Sequence, residues 1–196
     1  MLHIGKQKRD TTVYISGDIV PVVESVRDLG VLISNDLQPS VHVNDIVSRA
    51  HKRAAAILRA FVTRDSSLLM RAFLTYVRPI LEYNSIIWSP CAVGDIVAIK
   101  SVQRRFTKRL PYMNNKWYDQ RLKLLNVPSL EMRRLRTDLC YCCKILFGLT
   151  GVESGVFFTP SPCTVTRGHK YKLYKSHNNL SIRAHFFTER LSLIHI

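Results

Sequence analysis

Residues 99–110 combine cationic and apolar side chains at the spacing of an amphipathic helix. At about 100° per residue the apolar side chains fall on one side, and they are Ile99, Val102, Phe106 and Leu110. The cations fall on the other side, and they are Lys100, Arg104, Arg105, Lys108 and Arg109. No carboxylate lies among these cations, so the face cannot neutralise itself through ion pairs one turn apart. Such a face favours the binding of a polyanion, which would relieve like-charge repulsion of ~0.2–0.5 kcal/mol per pair.

Composition favours the polyanion over the alternative, a merely solvated helix face. The 196 residues include 29 Lys and Arg against 14 Asp and Glu, a net charge of +15. The excess is concentrated: residues 100–123 hold eight cations and one acid, and residues 48–64 hold five cations and no acid. Concentrated positive charge is typical of surfaces that bind phosphate backbones or anionic membranes. The membrane is disfavoured, because no apolar run approaches the ~20 residues that span a bilayer.

Two further helices are predicted to add cations to the nucleic-acid-binding surface. The second basic segment contributes Arg49, Lys52 and Arg53 from a helix that follows Pro39. A later helix, which begins after Pro128-Ser129, is predicted to carry Arg133 and Arg134 on its outer side. With the five cations of residues 99–110, these complete the predicted binding residues.

The hydrophobic period changes near Pro39, and this change predicts the fold class. Short β-branched segments at 12–15, 19–23 and 28–33 are separated by turn residues and indicate strands. Beyond Pro39 the apolar residues recur at helical spacing. We therefore predict an α+β chain with a small N-terminal antiparallel β element, a mostly α-helical bundle and a poorly ordered C-terminal tail. The predicted boundaries are residues 1–40, 41–149 and 150–196.

Capping residues place the helix ends. Asp65 or Ser66 is predicted to cap one helix, Asp95 to cap the basic helix, and Gly148 to end the last long helix. Pro79 is predicted to kink or stop the helix in which it falls. Apolar residues on the inner side of each element are predicted to be buried together, and they are Ile57, Phe61, Phe73, Tyr76, Trp88, Phe106 and Leu135.

Catalytic and metal-binding patterns are not found in the sequence. There is no Gly-rich phosphate loop, no nucleophile elbow and no metal-type spacing of histidines. Cys140 and Cys143 form a single C-x-x-C, for which buried thiols are favoured over a zinc site. The N-terminus lacks the apolar segment of a signal peptide, so an intracellular location in the cytoplasm and nucleus is expected.

Several sequence blocks occur in an order that resembles a known family. They are Leu2–Gly5 (LHIG), Arg27–Val31 (RDLGV), Val77–Tyr83 (VRPILEY), Ile87–Pro90 (IWSP), Val102–Thr107 (VQRRFT), Leu130–Leu139 (LEMRRLRTDL), Thr166–His169 (TRGH) and Phe186–Phe187. Together they resemble the segment after the catalytic palm in the reverse transcriptase of jockey-like, LINE-type non-LTR retrotransposons. The resemblance covers roughly residues 2–190.

The resemblance implies the closing edge of the palm, followed by a helical thumb and downstream helices. The implied partners are an RNA/DNA primer–template and the palm and fingers of the same polyprotein. The family's magnesium ligands lie on an Asp-Asp motif of the palm, and no Asp-Asp occurs in this sequence. The resemblance therefore implies a non-catalytic fragment with no cofactor of its own, although the full polymerase would use Mg²⁺. Residues 192–196 depart from the family pattern. The alternative to a reverse-transcriptase fragment is a stand-alone basic helical module that binds RNA or builds a ribonucleoprotein.

Overall fold

The computed structural model describes residues 1–5, 12–161, 172–174, 177, 179 and 181–192. Two small antiparallel strand pairs come first and helices follow, which confirms the predicted α+β class. The chain forms two compact units, and these divide it elsewhere than at the predicted boundaries. Unit 1 comprises residues 1–84 and 90–130, and unit 2 comprises residues 85–89 and 131–196.

The first strand pair is a hairpin with a two-residue turn. Strand β1 (Tyr14–Ile15) pairs antiparallel with β2 (Asp18–Ile19), and Tyr14 lies opposite Ile19. The turn residues Ser16 and Gly17 have φ values of 54° and 92°. Positive φ at both positions is the geometry that matches the right-handed twist of the flanking strands. The predicted turn is confirmed.

The second hairpin corrects the prediction of one continuous strand over residues 28–33. It consists of β3 (Ser25–Asp28) and β4 (Val31–Ser34). Leu29 and Gly30 form its turn, with φ values of 43° and 87°. The prediction failed because leucine seldom adopts this backbone region and gives no turn signal. A tertiary contact fixes the turn instead, since the Tyr83 hydroxyl donates to the Leu29 carbonyl at 3.1 Å.

Ten helices lie in the described ranges. They are α1 (Ser40–Ala60), α2 (Ser66–Tyr76), α3 (Arg78–Glu82), α4 (Ser85–Trp88), α5 (Val93–Lys108), α6 (Tyr118–Leu124), α7 (Leu130–Leu146), α8 (Ser154–Phe157), α9 (Ser181–Ala184) and α10 (Phe187–Ser192). The start of α1 directly after Pro39 confirms the predicted change of period. Asp65 caps α2, because its carboxylate accepts from the backbone N–H of Ser67 at 2.9 Å. Pro79 lies in the first turn of α3, where proline is tolerated, after α2 has ended at Tyr76.

The start of the basic helix α5 differs from the prediction. Ala92 precedes the helix, and Asp95 lies inside its first turn rather than at the cap. The carboxylate of Asp95 is nearly buried and accepts a hydrogen bond from the Ser40 hydroxyl at 2.7 Å. This bond joins the starts of α1 and α5. The negative charge of Asp95 in the first turn of α5 also interacts favourably with the helix dipole.

The core of unit 1 lies where α1, α2 and α5 pack together. Phe73 and Phe106 are at its centre, with ring centroids 4.6 Å apart. Ile57 is also buried, as predicted. The predicted burial of Phe61 and Tyr76 is wrong, since they are 36% and 56% exposed. Phe61 follows the last residue of α1 and Tyr76 is the last residue of α2, so both lie where the chain leaves the packed faces.

Unit 2 has its own core, which includes part of the predicted tail. Cys142 and Ile145 of α7 pack with Phe158, Phe187 and Leu191. The last three belong to the predicted tail of residues 150–196, so these three side chains of that segment are packed in a core. The other predicted core residues fall in this unit, where Trp88 is buried and Leu135 half-buried.

An ion pair joins two helices of unit 2. The Arg190 guanidinium donates to both carboxylate oxygens of Asp138, at 2.9 and 3.1 Å, and to the Ile86 carbonyl at 2.9 Å. At the end of α7, Gly148 has φ 66° and provides the predicted left-handed stop.

Candidate nucleic-acid interface

Helix α5 presents the cationic face that the sequence predicts. Its apolar side is buried through Ile99, Val102 and Phe106, which fixes the rotation of the helix. The opposite side is exposed and carries Lys100, Arg104, Arg105, Lys108 and Arg109. Among the described residues, no carboxylate lies within ion-pair distance of these five side chains. We call this surface the α5 basic face.

Helix α1 brings further cations next to one edge of the α5 basic face. His51 of α1 and the Ser101 hydroxyl of α5 share a hydrogen bond of 3.3 Å. Burial lowers the pKa of His51, and the nearby charges of Arg105 and Arg109 lower it further. His51 therefore lies close to both arginines. The two residues after it are exposed cations, Lys52 and Arg53.

Arg49, also predicted to bind, differs from its neighbours because a carboxylate accompanies it. Its guanidinium lies 3.1 Å from Asp45, which Arg27 also approaches to 3.3 Å. Surface ion pairs of this kind contribute only ~0–1 kcal/mol to stability and are screened by salt. Arg49 is exposed and able to reach a ligand, but part of its charge is already compensated.

Helix α6 forms the other edge of the α5 basic face around Tyr118. The Lys100 ammonium lies 5.5 Å from the centre of the Tyr118 ring, and the Arg121 guanidinium lies 5.8 Å from it. Arg121 is only 3% exposed, and its Nε has no hydrogen-bond partner among the described residues. Burial lowers the pKa of Arg121, with a contribution from the charge of Arg104. Arg121 was not predicted, because α6 has only seven residues and carries two cations, Arg121 and Lys123, with no pattern that shows which of them is buried.

A partly buried chain of hydrogen bonds holds Tyr118 in place. The Tyr118 hydroxyl donates to the Gln103 side-chain oxygen at 2.8 Å. The Gln103 amide donates in turn to the Pro128 carbonyl at 3.2 Å, and Gln103 is fully buried. Because buried amide groups are costly to leave unpaired, this chain fixes α6 against α5.

The predicted outer position of Arg134 on α7 is wrong. Its side chain is 6% exposed, and it precedes Asp138 by one helical turn. Burial raises the pKa of Asp138, while Arg190 and Arg134 partly oppose that shift. Arg134 thus balances a buried carboxylate within unit 2, and Arg133 is half-buried. We do not include either residue in the interface.

The cysteines of α7 differ in their surroundings. Cys142 is buried, and burial raises the pKa of its thiol to about 11, so this residue behaves as a small apolar side chain. Cys140 and Cys143 are exposed, so the prediction of buried thiols is wrong for them. Within the described ranges, no three metal-ligating side chains come together.

Two partly or fully buried histidines make unit 1 sensitive to acid. Burial lowers the pKa of His42, whose Nδ1 accepts from the Leu32 N–H at 3.1 Å, and it also lowers the pKa of His51. In the unfolded chain both bind protons near the ordinary value of ~6.5, so acid favours the unfolded state. The contribution of these two histidines to the free energy of unfolding is fully present above about pH 6.5. It decreases as the pH falls below that value, and the total loss is ~1.4 kcal/mol for each unit by which folding lowers a histidine pKa.

Urea unfolding at about pH 7.5 and pH 5.5 measures this effect. We expect a lower unfolding free energy at pH 5.5, and a smaller difference in His51→Gln. Equal stability at the two pH values would contradict the burial of these neutral rings.

Comparison with known proteins adds one relative. An uncharacterised protein of Caenorhabditis elegans is 24% identical over 133 residues, which is 66% of this chain and 67% of that protein. No family model matches the chain. No solved structure matches it either. In the described part of the chain, no helix has the length and apolar character needed to cross a bilayer.

Proposed function

We propose that this chain binds the sugar–phosphate backbone of nucleic acid through the α5 basic face, with help from Lys52 and Arg53 of α1. The supporting observation is the set of five exposed cations, four on α5 and Arg109 at its C-terminal cap, with no carboxylate within ion-pair distance in the described ranges. Phosphate contacts release condensed counterions, so a face of this kind gains affinity from a polyanion and little from base identity.

The sequence blocks that resemble LINE-type reverse transcriptases make the proposal more specific. We infer that the chain acts as the thumb and downstream region of an RNA-directed DNA polymerase and holds the primer–template as it leaves the palm. A helical module with one basic face suits that role. The palm and fingers of the same polyprotein would be its protein partners and would supply the Mg²⁺ ligands. A nucleic-acid partner also implies action inside the cell.

A stand-alone RNA-binding or ribonucleoprotein module remains the alternative. The two differ in what is encoded upstream in the same reading frame. An upstream aromatic-Ala-Asp-Asp motif in the same transcript would support the polymerase, and a transcript without it would support the stand-alone module.

Fluorescence anisotropy tests the binding itself. Labelled RNA–DNA hybrids and DNA duplexes of about 20 base pairs, in two unrelated sequences each, would be titrated at low salt. We expect affinities that agree within about threefold between the two sequences, because backbone contacts carry no sequence information. No binding would refute the proposal, and a preference above about tenfold would indicate base readout instead.

A further inference from the structure

Two aromatic side chains stand out by their exposure beside the α5 basic face. Tyr112 is 91% exposed and Trp117 is 79% exposed, and both lie in the loop between α5 and α6. No other aromatic side chain in the described residues exceeds the 62% of Tyr14. Aromatic rings of this size are usually buried, so two that project into water on one loop call for a physical reason.

The loop that carries these rings is ordered by backbone hydrogen bonds. The Met113 N–H donates to the Leu110 carbonyl at 3.2 Å, and Leu110 is buried. The Lys116 N–H donates to the Met113 carbonyl at 3.3 Å. The Trp117 N–H donates to the Gln120 side-chain oxygen at 3.2 Å, where α6 begins. The rings are therefore presented by a defined backbone.

The backbone at Tyr112 is itself unusual. Its φ of 61° lies in the left-handed region, which bulky residues rarely adopt. Conformations of this kind persist where the surrounding structure imposes them, and they cluster at ligand-binding positions.

The charges on the loop indicate the chemistry of a ligand that would cover the two rings. Arg109 and Lys116 are exposed on either side of Tyr112, and no acidic residue occurs from 108 to 118. The first carboxylate beyond is Asp119, in the first turn of α6. Cationic side chains interleaved with exposed aromatic rings suit a ligand that has both phosphates and flat apolar faces. Unpaired nucleotides have this chemistry, and bases inside a duplex do not offer a free face.

We propose that Tyr112 and Trp117 stack on unpaired bases of single-stranded nucleic acid whose backbone lies along Arg109 and Lys116. This inference rests on the proposed function, because the phosphates are held by the same cationic surface. It adds a preference for single-stranded segments, such as an overhang next to a duplex. It also gives the α5–α6 loop a role distinct from that of the α5 basic face.

Two probes of equal charge separate stacking from backbone binding. One is an oligothymidylate of about 12 nucleotides, and the other is an abasic oligomer with the same number of phosphates. Both carry a terminal dye for anisotropy. Intrinsic emission gives a second readout, since Trp117 is exposed while Trp88, the other tryptophan, is buried.

The test variants are Trp117→Ala and Tyr112→Asn, and asparagine is chosen because it tolerates the left-handed backbone. Tyr14→Ala is the matched control, since it removes an exposed ring from the β1–β2 hairpin. Circular dichroism checks that each variant folds. Trp117→Phe keeps a stacking ring and should retain binding.

We expect the unmodified chain to bind oligothymidylate about tenfold or more tightly than the abasic oligomer, with quenched tryptophan emission. Each test variant should lose several-fold in affinity for oligothymidylate and nothing for the abasic oligomer, and Tyr14→Ala should change neither. Equal affinity of the unmodified chain for the two probes would overturn the stacking proposal while leaving backbone binding intact. Absence of binding to both probes would also overturn the stacking proposal, whereas the proposed function is decided separately by the titration with RNA–DNA hybrids and duplexes.

Discussion

Phe106→Ala should destabilise unit 1 by ~3–5 kcal/mol. Phe106 is 2% exposed, and its ring packs 4.6 Å from that of Phe73 in the contact between α2 and α5. Removing it eliminates the buried ring and leaves a cavity that the surrounding helices fill only in part. Loss of the aromatic pair contributes a further ~0.5–1.5 kcal/mol beyond the buried area.

Urea unfolding, followed by circular dichroism, measures this loss. Phe61→Ala is the matched control, because it removes the same side chain from a position that is 36% exposed. We expect a cost of ~1 kcal/mol or less for the control. A loss below about 1 kcal/mol for Phe106→Ala, or equal losses for both variants, would mean that α5 is not docked as the structure shows.

Local patterns predicted much of this architecture. The apolar period placed α1, α2, α5 and α7, and the side-chain cap at Asp65 and the left-handed stop at Gly148 were found where expected. The rotation of α5, with its cations outward, also followed from period alone. These features depend on residues close in sequence, which is the information that periodicity and capping rules use.

The misses depend on contacts between distant residues. The Leu29-Gly30 turn is fixed by Tyr83, more than fifty residues away, and Asp95 is drawn inward by Ser40. The burial of Arg134 follows from packing in unit 2 and from its charge opposite Asp138. No pattern within a single helix reports such partners.

The exposure of side chains at helix ends and in loops could not be predicted from the sequence either. Tyr76 fits the apolar stripe of α2 but lies at its last residue, where it is exposed. Tyr112 and Trp117 gave no periodic signal, and only the structure shows how far they project into water. The sequence therefore predicted the cations of the α5 basic face but not the residues beside that face.

The second large effect concerns nucleic-acid binding by the α5 basic face. Arg105→Ala/Lys108→Ala should weaken binding to RNA–DNA hybrid of any sequence, because both exposed cations are proposed phosphate contacts. Each lost contact reduces the slope of log affinity against log salt by ~0.7–0.9, so two reduce it by ~1.4–1.8. Near 0.1 M salt this corresponds to roughly 25- to 60-fold weaker binding, and the difference should shrink toward 1 M.

The control removes the same net charge from elsewhere. Arg71→Ala/Lys144→Ala also replaces one exposed arginine and one exposed lysine, on α2 and α7, and neither side chain belongs to the proposed interface. If affinity depended only on net charge, the two double variants would behave alike. A localised interface predicts that the control loses little affinity and keeps the slope.

The most direct measurement is therefore the salt dependence of hybrid binding for the unmodified chain and the two double variants, from about 0.05 to 0.5 M salt. Binding through the α5 basic face predicts a slope that is shallower by ~1.4–1.8 for Arg105→Ala/Lys108→Ala and unchanged for Arg71→Ala/Lys144→Ala. Equal slopes for all three proteins, with equal affinities, would contradict it and leave the basic face as a solvated surface.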